Sequence, residues 1–150
     1  MDDIDIKILQ LLEEKGRLSH EELSKLLHIS RPAVHQRVAK LEKSNIIKGY
    51  RCIVDWSKLE QKLKVLIFVK MKCQNFKEIA GKIVDLHVPG ATILECQRLA
   101  GEWCMMLKVR VSSPEDITNL IDEMVKFPDV QETSTTFVLS TLYENGMKEN

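Results

Sequence analysis

The chain has 150 residues, 44% of them apolar and 29% charged, which suits one domain or two small ones and excludes an intrinsically disordered protein. Four prolines and six glycines are too few for a fibrous or low-complexity protein. Lys+Arg and Asp+Glu both total 22, so net charge alone points to no acidic partner.

Residues Asp2 to Asn45 read as three helices. In the first, Ile4, Ile8, Leu11 and Leu12 make one apolar face, and Gly16 ends it. The second opens at Ser19-His20-Glu21-Glu22, a capping box, with Leu23, Leu26 and Leu27 inward. The third opens at Ser30, an N-cap, with Arg31 and Pro32 in its first turn. Val34, Val38 and Leu41 hold it to the core, and Asn45 follows as a left-handed cap. Ile46 to Val54 is rich in β-formers and is expected to form a short hairpin or wing. Asp55 to Lys64 is polar and reads as a linker with a helical turn near Ser57 to Glu60.

The rest repeats itself. Val65 to Met71 is a strand, Asn75-Phe76-Lys77-Glu78 a capping box opening a helix, and Ala91 to Leu99 a strand. Cys104 to Val111 is again a strand, Ser113-Pro114-Glu115-Asp116 opens a helix, and Val130 to Leu142 is a strand. Asn75 and Ser113 are 38 apart, Pro89 and Pro128 39 apart. The plan is βαββαβ, the ferredoxin-like arrangement. The fold class is therefore α+β, a winged or wing-like helix-turn-helix domain over residues 1–54, a linker over 55–63 and a ferredoxin-like domain over 64–150.

Charge is segregated although it sums to zero. Asp2 to Glu22 holds seven acids and three bases; His28 to Arg51 holds six bases (Arg31, Arg37, Lys40, Lys43, Lys48, Arg51) and one acid, Glu42. A helix-turn-helix with a basic outer face fits the major groove of duplex DNA. Ser30 caps the helix and offers its first-turn amides to a phosphate. Arg31, Pro32, Ala33 and Gln36 face the groove, with His35 at its edge, while Lys40, Lys48 and Arg51 contact phosphates. Arg37 has two readings, a DNA contact or a partner for an acid such as Glu42. One small basic patch needs repetition, so a dimer or larger even-numbered assembly is expected. The alternatives are an architectural protein that wraps DNA with little sequence choice, and a ligand-sensing regulatory subunit that touches no DNA.

Other chemistry is thinly supported. Nucleotide-binding glycine motifs, H-E-x-x-H and the G-x-S-x-G elbow are absent from the sequence, so no enzyme, cofactor or catalytic residue is expected. Cys52, Cys73, Cys96 and Cys104 form no C-x-x-C pair and each lies in a strand-like run. They read as buried or half-buried free thiols. With His20, His28, His35 and His87 scattered, a metal site is not expected. His87 reads as the end of an amphipathic helix. The longest nearly uncharged apolar run, Val65 to Val69, cannot cross a bilayer. With no basic-then-apolar segment at the start, a cytoplasmic location and no membrane partner are expected.

The order of these motifs resembles the Lrp/AsnC (leucine-responsive regulatory protein) family of transcription regulators over nearly the whole chain. Asp2-x-x-Asp5-x-x-Ile8-Leu9 looks like its opening helix, and Gly16-Arg17-Leu18-Ser19-x-x-Glu22-Leu23 like the start of its second. Ser30-x-x-x-Val34-x-x-Arg37-Val38-x-x-Leu41-Glu42-x-x-x-Ile46-Ile47 is similar to its recognition-helix signature. Ala100-Gly101-Glu102-Trp103-Cys104 sits where the family has a glycine turn. The resemblance implies a DNA-binding regulator that forms a homodimer and a tetramer or octamer. It also implies an amino-acid-like effector at subunit interfaces, lined by Ala100, Gly101, Glu102, Trp103, Cys104 and the hydroxyls of Thr133, Ser134, Thr135 and Thr136. Asn45 and His28 replace the usual residues at two turns, and both types tolerate positive φ. Cys104 stands where many members have an aspartate. The chain is therefore expected to bind no free amino acid, or to prefer an effector other than leucine.

Overall fold

The computed structural model describes residues 1–148, the Cys73 side chain excepted. The chain divides into two compact units, Met1–Val54 with Tyr143–Lys148, and Asp55–Leu142. The C-terminal hairpin thus groups with the first unit, whereas the sequence reading ran the second domain to residue 150.

In the first unit, α1 (Asp3–Glu14), α2 (His20–Leu27) and α3 (Arg31–Lys43) pack around Ile8, Leu23, Val34, Val38 and Leu41. Each start is capped by a side chain. Asp2 accepts from the Ile4 and Asp5 amides, Ser19 from the Glu22 amide, and Ser30 from the Ala33 amide. These bonds satisfy first-turn N–H groups that have no partner inside the helix. α1 stops at Lys15, one residue before Gly16.

No strand forms over Ile46–Val54, so the expected wing hairpin is absent. The Ile46 and Ile47 amides both turn back onto the Leu41 carbonyl, and β-rich residues make no ladder without a partner strand. A two-residue-strand hairpin lies elsewhere: β5 (Tyr143–Glu144) pairs with β6 (Met147–Lys148) across Asn145 and Gly146. Both turn residues have positive φ, 53° and 77°, as a type I′ turn requires.

The second unit is a four-stranded antiparallel sheet in the order β2-β3-β1-β4. The strands are β1 (Leu63–Met71), β2 (Ala91–Arg98), β3 (Met105–Val111) and β4 (Val130–Phe137). Helices α4 (Phe76–Val84) and α5 (Pro114–Met124) cover one face. That face buries Val65, Ile67, Val69 and Met71 of β1 and Met105, Leu107, Val109 and Val111 of β3. The expected βαββαβ order is the observed one. The Ser113 amide and hydroxyl both donate to Asp116. At α4, however, Asn75 makes no side-chain cap; a 3₁₀ turn at Cys73–Asn75 leads in instead.

Smaller differences follow from pairing. β4 ends at Phe137 rather than Leu142, because its last ladder partner is Val65; beyond it the Val138 amide donates to the Lys64 carbonyl and the Thr141 hydroxyl accepts from Lys64 Nζ, with no further ladder. α4 ends at Val84, so His87 lies in the loop beyond, its Nδ1 2.7 Å from the Asp85 carbonyl. Of the cysteines, Cys96 is in a strand and half-buried, and Cys104 just precedes β3 and is buried. Cys52 is exposed in irregular chain, against the expectation of a buried thiol; the Cys73 thiol lies outside the described residues. The linker's helical turn is a 3₁₀ turn at Trp56–Lys58.

Candidate nucleic-acid interface

Helices α2 and α3 are joined by His28-Ile29-Ser30. His28 takes φ 54°, the left-handed conformation that ends α2. The Ser24 hydroxyl donates to the Ile29 carbonyl at 2.6 Å, and the Ile29 amide returns to the Ser24 carbonyl at 3.3 Å. Ser30 then starts α3. The turn is thus fixed by its own bonds, and α3 leaves it at one defined angle.

At about 100° per residue, the buried Val34, Val38 and Leu41 place Pro32, Gln36, Ala39 and Lys43 on the outermost line of α3. All four are exposed, as is Lys40 beside them. Ala33 is half-buried. Arg31 and His35 occupy the flank turned to α2, where the Arg31 charge helps hold the Glu21 carboxyl below its usual value, after the larger effect of Lys25. His35 Nδ1 lies 3.4 Å from His20 Nδ1. Lys48 and Arg51 are exposed beyond α3, and one Arg51 guanidinium nitrogen reaches Asn145 Oδ1 at 3.4 Å. Lys43 and Ala39 extend the stripe; they belong to the same heptad-like spacing as Pro32 and Gln36, which could have located them.

Arg37 is on the opposite flank, facing α1. Its Nη1 is 2.8 Å from both Asp2 carboxylate oxygens and 2.7 Å from Asp5 Oδ1. Asp5 is itself buried. The two reciprocal amide bonds between Asp2 and Asp5, then Arg37, hold both carboxyls below their usual range, and the pair raises Arg37. The acid partner is therefore not Glu42, which accepts from the Tyr50 hydroxyl at 2.9 Å. Burial, then Glu42, pushes the Tyr50 hydroxyl up.

In the second unit the β2–β3 turn is closed by the Leu99 amide on the Cys104 carbonyl, 2.8 Å. Gly101 sits at φ 113°, open to solvent. Trp103 is half-buried, with the Lys70 ammonium 4.5 Å from its ring centre. Lys70 also bonds Glu102 at 2.8 Å and Glu132 at 2.9 Å, and these carboxylates raise it above its ordinary value. Cys104 points inward, its Sγ 3.7 Å from the Val69 and Met71 carbonyls. Thr133 and Thr135 stand opposite Val69 and Ile67; Ser134 and Thr136 stand opposite Phe68 and Leu66. Directly paired residues share a face, so the four hydroxyls divide between the two faces of the sheet. Lys70 and Glu132 escaped the sequence reading, since nothing local marks them.

Two family models match the chain. The winged helix-turn-helix DNA-binding model covers residues 1–48 and the Lrp/AsnC ligand binding domain covers residues 64–147. Among relatives, the HTH-type transcriptional regulator FL11 of Pyrococcus horikoshii is 30% identical, over 94% of this chain and 91% of its own length. The leucine-responsive regulatory protein of Haemophilus influenzae is 32% identical over 97% and 88%. The structure of Bacillus subtilis LrpC superposes with a TM-score of 0.80 at 31% identity, covering 95% of this chain and 97% of that one. A Neisseria meningitidis transcriptional regulator in complex with L-Met gives 0.84 at 27%, covering 96% and 93%.

Proposed function

The chain belongs to the Lrp/AsnC family of helix-turn-helix transcription regulators, and from that premise we propose that α3 reads a specific duplex sequence. The observation that carries this reading is the exposed stripe Pro32, Gln36, Lys40 and Lys43, opposite the buried Val34, Val38 and Leu41 on a helix pinned by Ser30. Gln36 and Arg31 meet base edges, Pro32 and Ala33 pack along the groove wall, and His35 borders it. Lys40, Lys43 and Lys48 neutralise phosphates, and Arg51 does so from beside the C-terminal hairpin. The Ser30 cap leaves the remaining first-turn amides of α3 for a phosphate. Arg37 serves the fold, fastening α3 to α1, and does not touch DNA.

The regulator acts as a dimer or larger even assembly. Supporting this, the sheet face away from α4 and α5 presents Leu66 and Phe68 of β1 beside Met106 of β3, all half-buried within one subunit. An apolar sheet centre of this kind suits a second copy of the chain. Two reading heads then repeat one small basic patch.

At the β2–β3 turn the chain takes no leucine. The ammonium of a free amino acid normally takes a carboxylate partner. The nearby Glu102 and Glu132 are already shared by Lys70, and the buried Cys104 side chain points to the Val69 and Met71 carbonyls instead of to the turn. Regulation by a different effector, or by none, fits that arrangement. Among the described residues no helix is long and apolar enough to cross a membrane, and the regulator works where DNA is.

The test is a gel shift on promoter DNA against random duplex. Wild type should prefer one sequence, and an Arg31→Ala/Lys40→Ala variant should lose binding with its helical content intact. Equal affinity for all duplexes would favour the architectural reading, and no shift at all the DNA-free one.

A further inference from the structure

We propose that His20 and His35 form a two-imidazole site for a divalent transition cation of the zinc, copper or nickel class, clamping α2 to α3. The two residues are 15 apart in sequence and belong to different helices, so no ligand spacing along the chain announces them. The fold brings their Nδ1 atoms to 3.4 Å, with ring centres 5.2 Å apart and planes at 61°. Two nitrogens each about 2.0–2.1 Å from one tetrahedral zinc lie about 3.4 Å apart. The observed separation thus matches the bite of a tetrahedral ion.

The scaffold is stiff where it matters. His20 is the first residue of α2, fixed by the Ser19–Glu22 capping box. His35 follows the capped first turn of α3, one turn beyond Arg31. Little conformational freedom remains to be lost on chelation. Imidazole suits zinc, copper and nickel and is a poor ligand for magnesium or calcium. Among the described residues no group of three or more His, Cys, Asp and Glu converges, so water completes the shell. Of the charged residues on the same helices, Glu21 is ion-paired with Lys25 and Glu22 accepts from the Ser19 amide, and Arg31 on α3 opposes a cation, so the two imidazoles supply the affinity. When the site is empty, one Nδ1–H can face the other ring's lone pair; with the metal bound, both rings take the neutral Nε2–H tautomer, so that each Nδ1 lone pair is free to coordinate.

Calorimetric titration of ZnCl₂ into the full chain carrying Cys52→Ser, which removes the exposed thiol, tests this. The expected result is one ion per chain, with affinity falling at least tenfold in His20→Ala and in His35→Ala, and unchanged in His28→Ala and His87→Ala. His35→Gln, which keeps a polar helix residue, should lose the ion as His35→Ala does while remaining folded by circular dichroism. Zinc should also raise the melting temperature of the parent and leave that of His20→Ala and His35→Gln unmoved. No saturable binding, or equal binding in parent and His35→Gln, would overturn the site.

Discussion

Arg37 and Asp5, 32 residues apart, meet with the guanidinium 2.7 Å from a buried carboxylate oxygen. This contact joins the helix proposed to read DNA to the helix that begins the chain. Asp2, which caps α1, shares the same nitrogen. The angle at which α3 is presented therefore depends on two acids remote from any base.

Arg37→Ala should lower the melting temperature at neutral pH more than Arg31→Ala, whose side chain is exposed. The pH dependence has a definite sign. Asp2 and Asp5 are held below 3.8 in the folded state, so the stability they contribute is complete above the unfolded carboxylate value and is lost as pH falls through the lowered one. The gap between wild type and Arg37→Ala should be wide at pH 6–7 and should shrink below about pH 4. Thermal melts across pH 3 to 7 measure it; a gap that widens in acid would contradict the assignment.

The proposed DNA contacts separate by role. Lys40→Ala should weaken all duplexes about equally and flatten the dependence of log K on log salt by about one phosphate's worth, near 0.9. Gln36→Ala should change the order of preference among sequences, with about 1–3 kcal/mol lost at one base pair. Arg37→Ala should leave that order alone. Fluorescence anisotropy over a salt series with two duplexes distinguishes these patterns, and the reverse assignment of Lys40 and Gln36 would show as reversed slopes.

Much of this was legible because it is local. Ser19 with Glu22, and Ser30 before Pro32, lie within one turn of the residues they serve, and Val34, Val38 and Leu41 recur at helical period. Arg37 shows the limit: spacing offered Glu42 five residues on, and the fold supplied Asp2 and Asp5 from another helix. The His20–His35 approach is of the same kind. The wing expectation failed because β-formers at 46–54 found the end of α3 and no strand. The Asn145-Gly146 turn is a hairpin signal, yet its flanking strands are only two residues each, too short for any alternating pattern to mark them.

Gly90 tests the second unit. It has φ 78°, and a Cβ there would stand 2.5 Å from Asp116 Cγ. Asp116 cannot swing away freely, since it accepts from the Ser113 amide and hydroxyl at 2.9 Å each. Gly90→Ala should cost about 1–2 kcal/mol in backbone strain and about 1 kcal/mol more by disturbing the α5 cap. Urea unfolding reads the sum; a loss under 0.5 kcal/mol would mean the Gly90 turn relaxes.

Phe68→Asp should dissociate the proposed assembly without unfolding the subunit, because Phe68 stands on the sheet face opposite the buried Ile67 and Val69. A carboxylate at the centre of the proposed interface would have to be desolvated on association, a cost the apolar ring does not carry. Light scattering should show a mass near one chain with an unchanged circular dichroism spectrum. Retention of the wild-type mass would move the interface elsewhere.

The effector prediction follows from charge already spent. Lys70 lies between Glu102 and Glu132 and under Trp103, so the cluster has its own ammonium. Cys104 is buried with its thiol directed to the Val69 and Met71 carbonyls, away from the turn. A ligand ammonium arriving at Gly101 would have to compete with a tethered one. Calorimetric titration with the twenty amino acids should give no leucine binding, and any heat observed should come from another side chain. Gly101→Val is the control, since a branched residue at φ 113° distorts the turn itself. Tight leucine binding in wild type that disappears in Gly101→Val would mean that the turn accepts the amino acid despite the thiol at 104, and that Glu102 leaves Lys70 to take its ammonium.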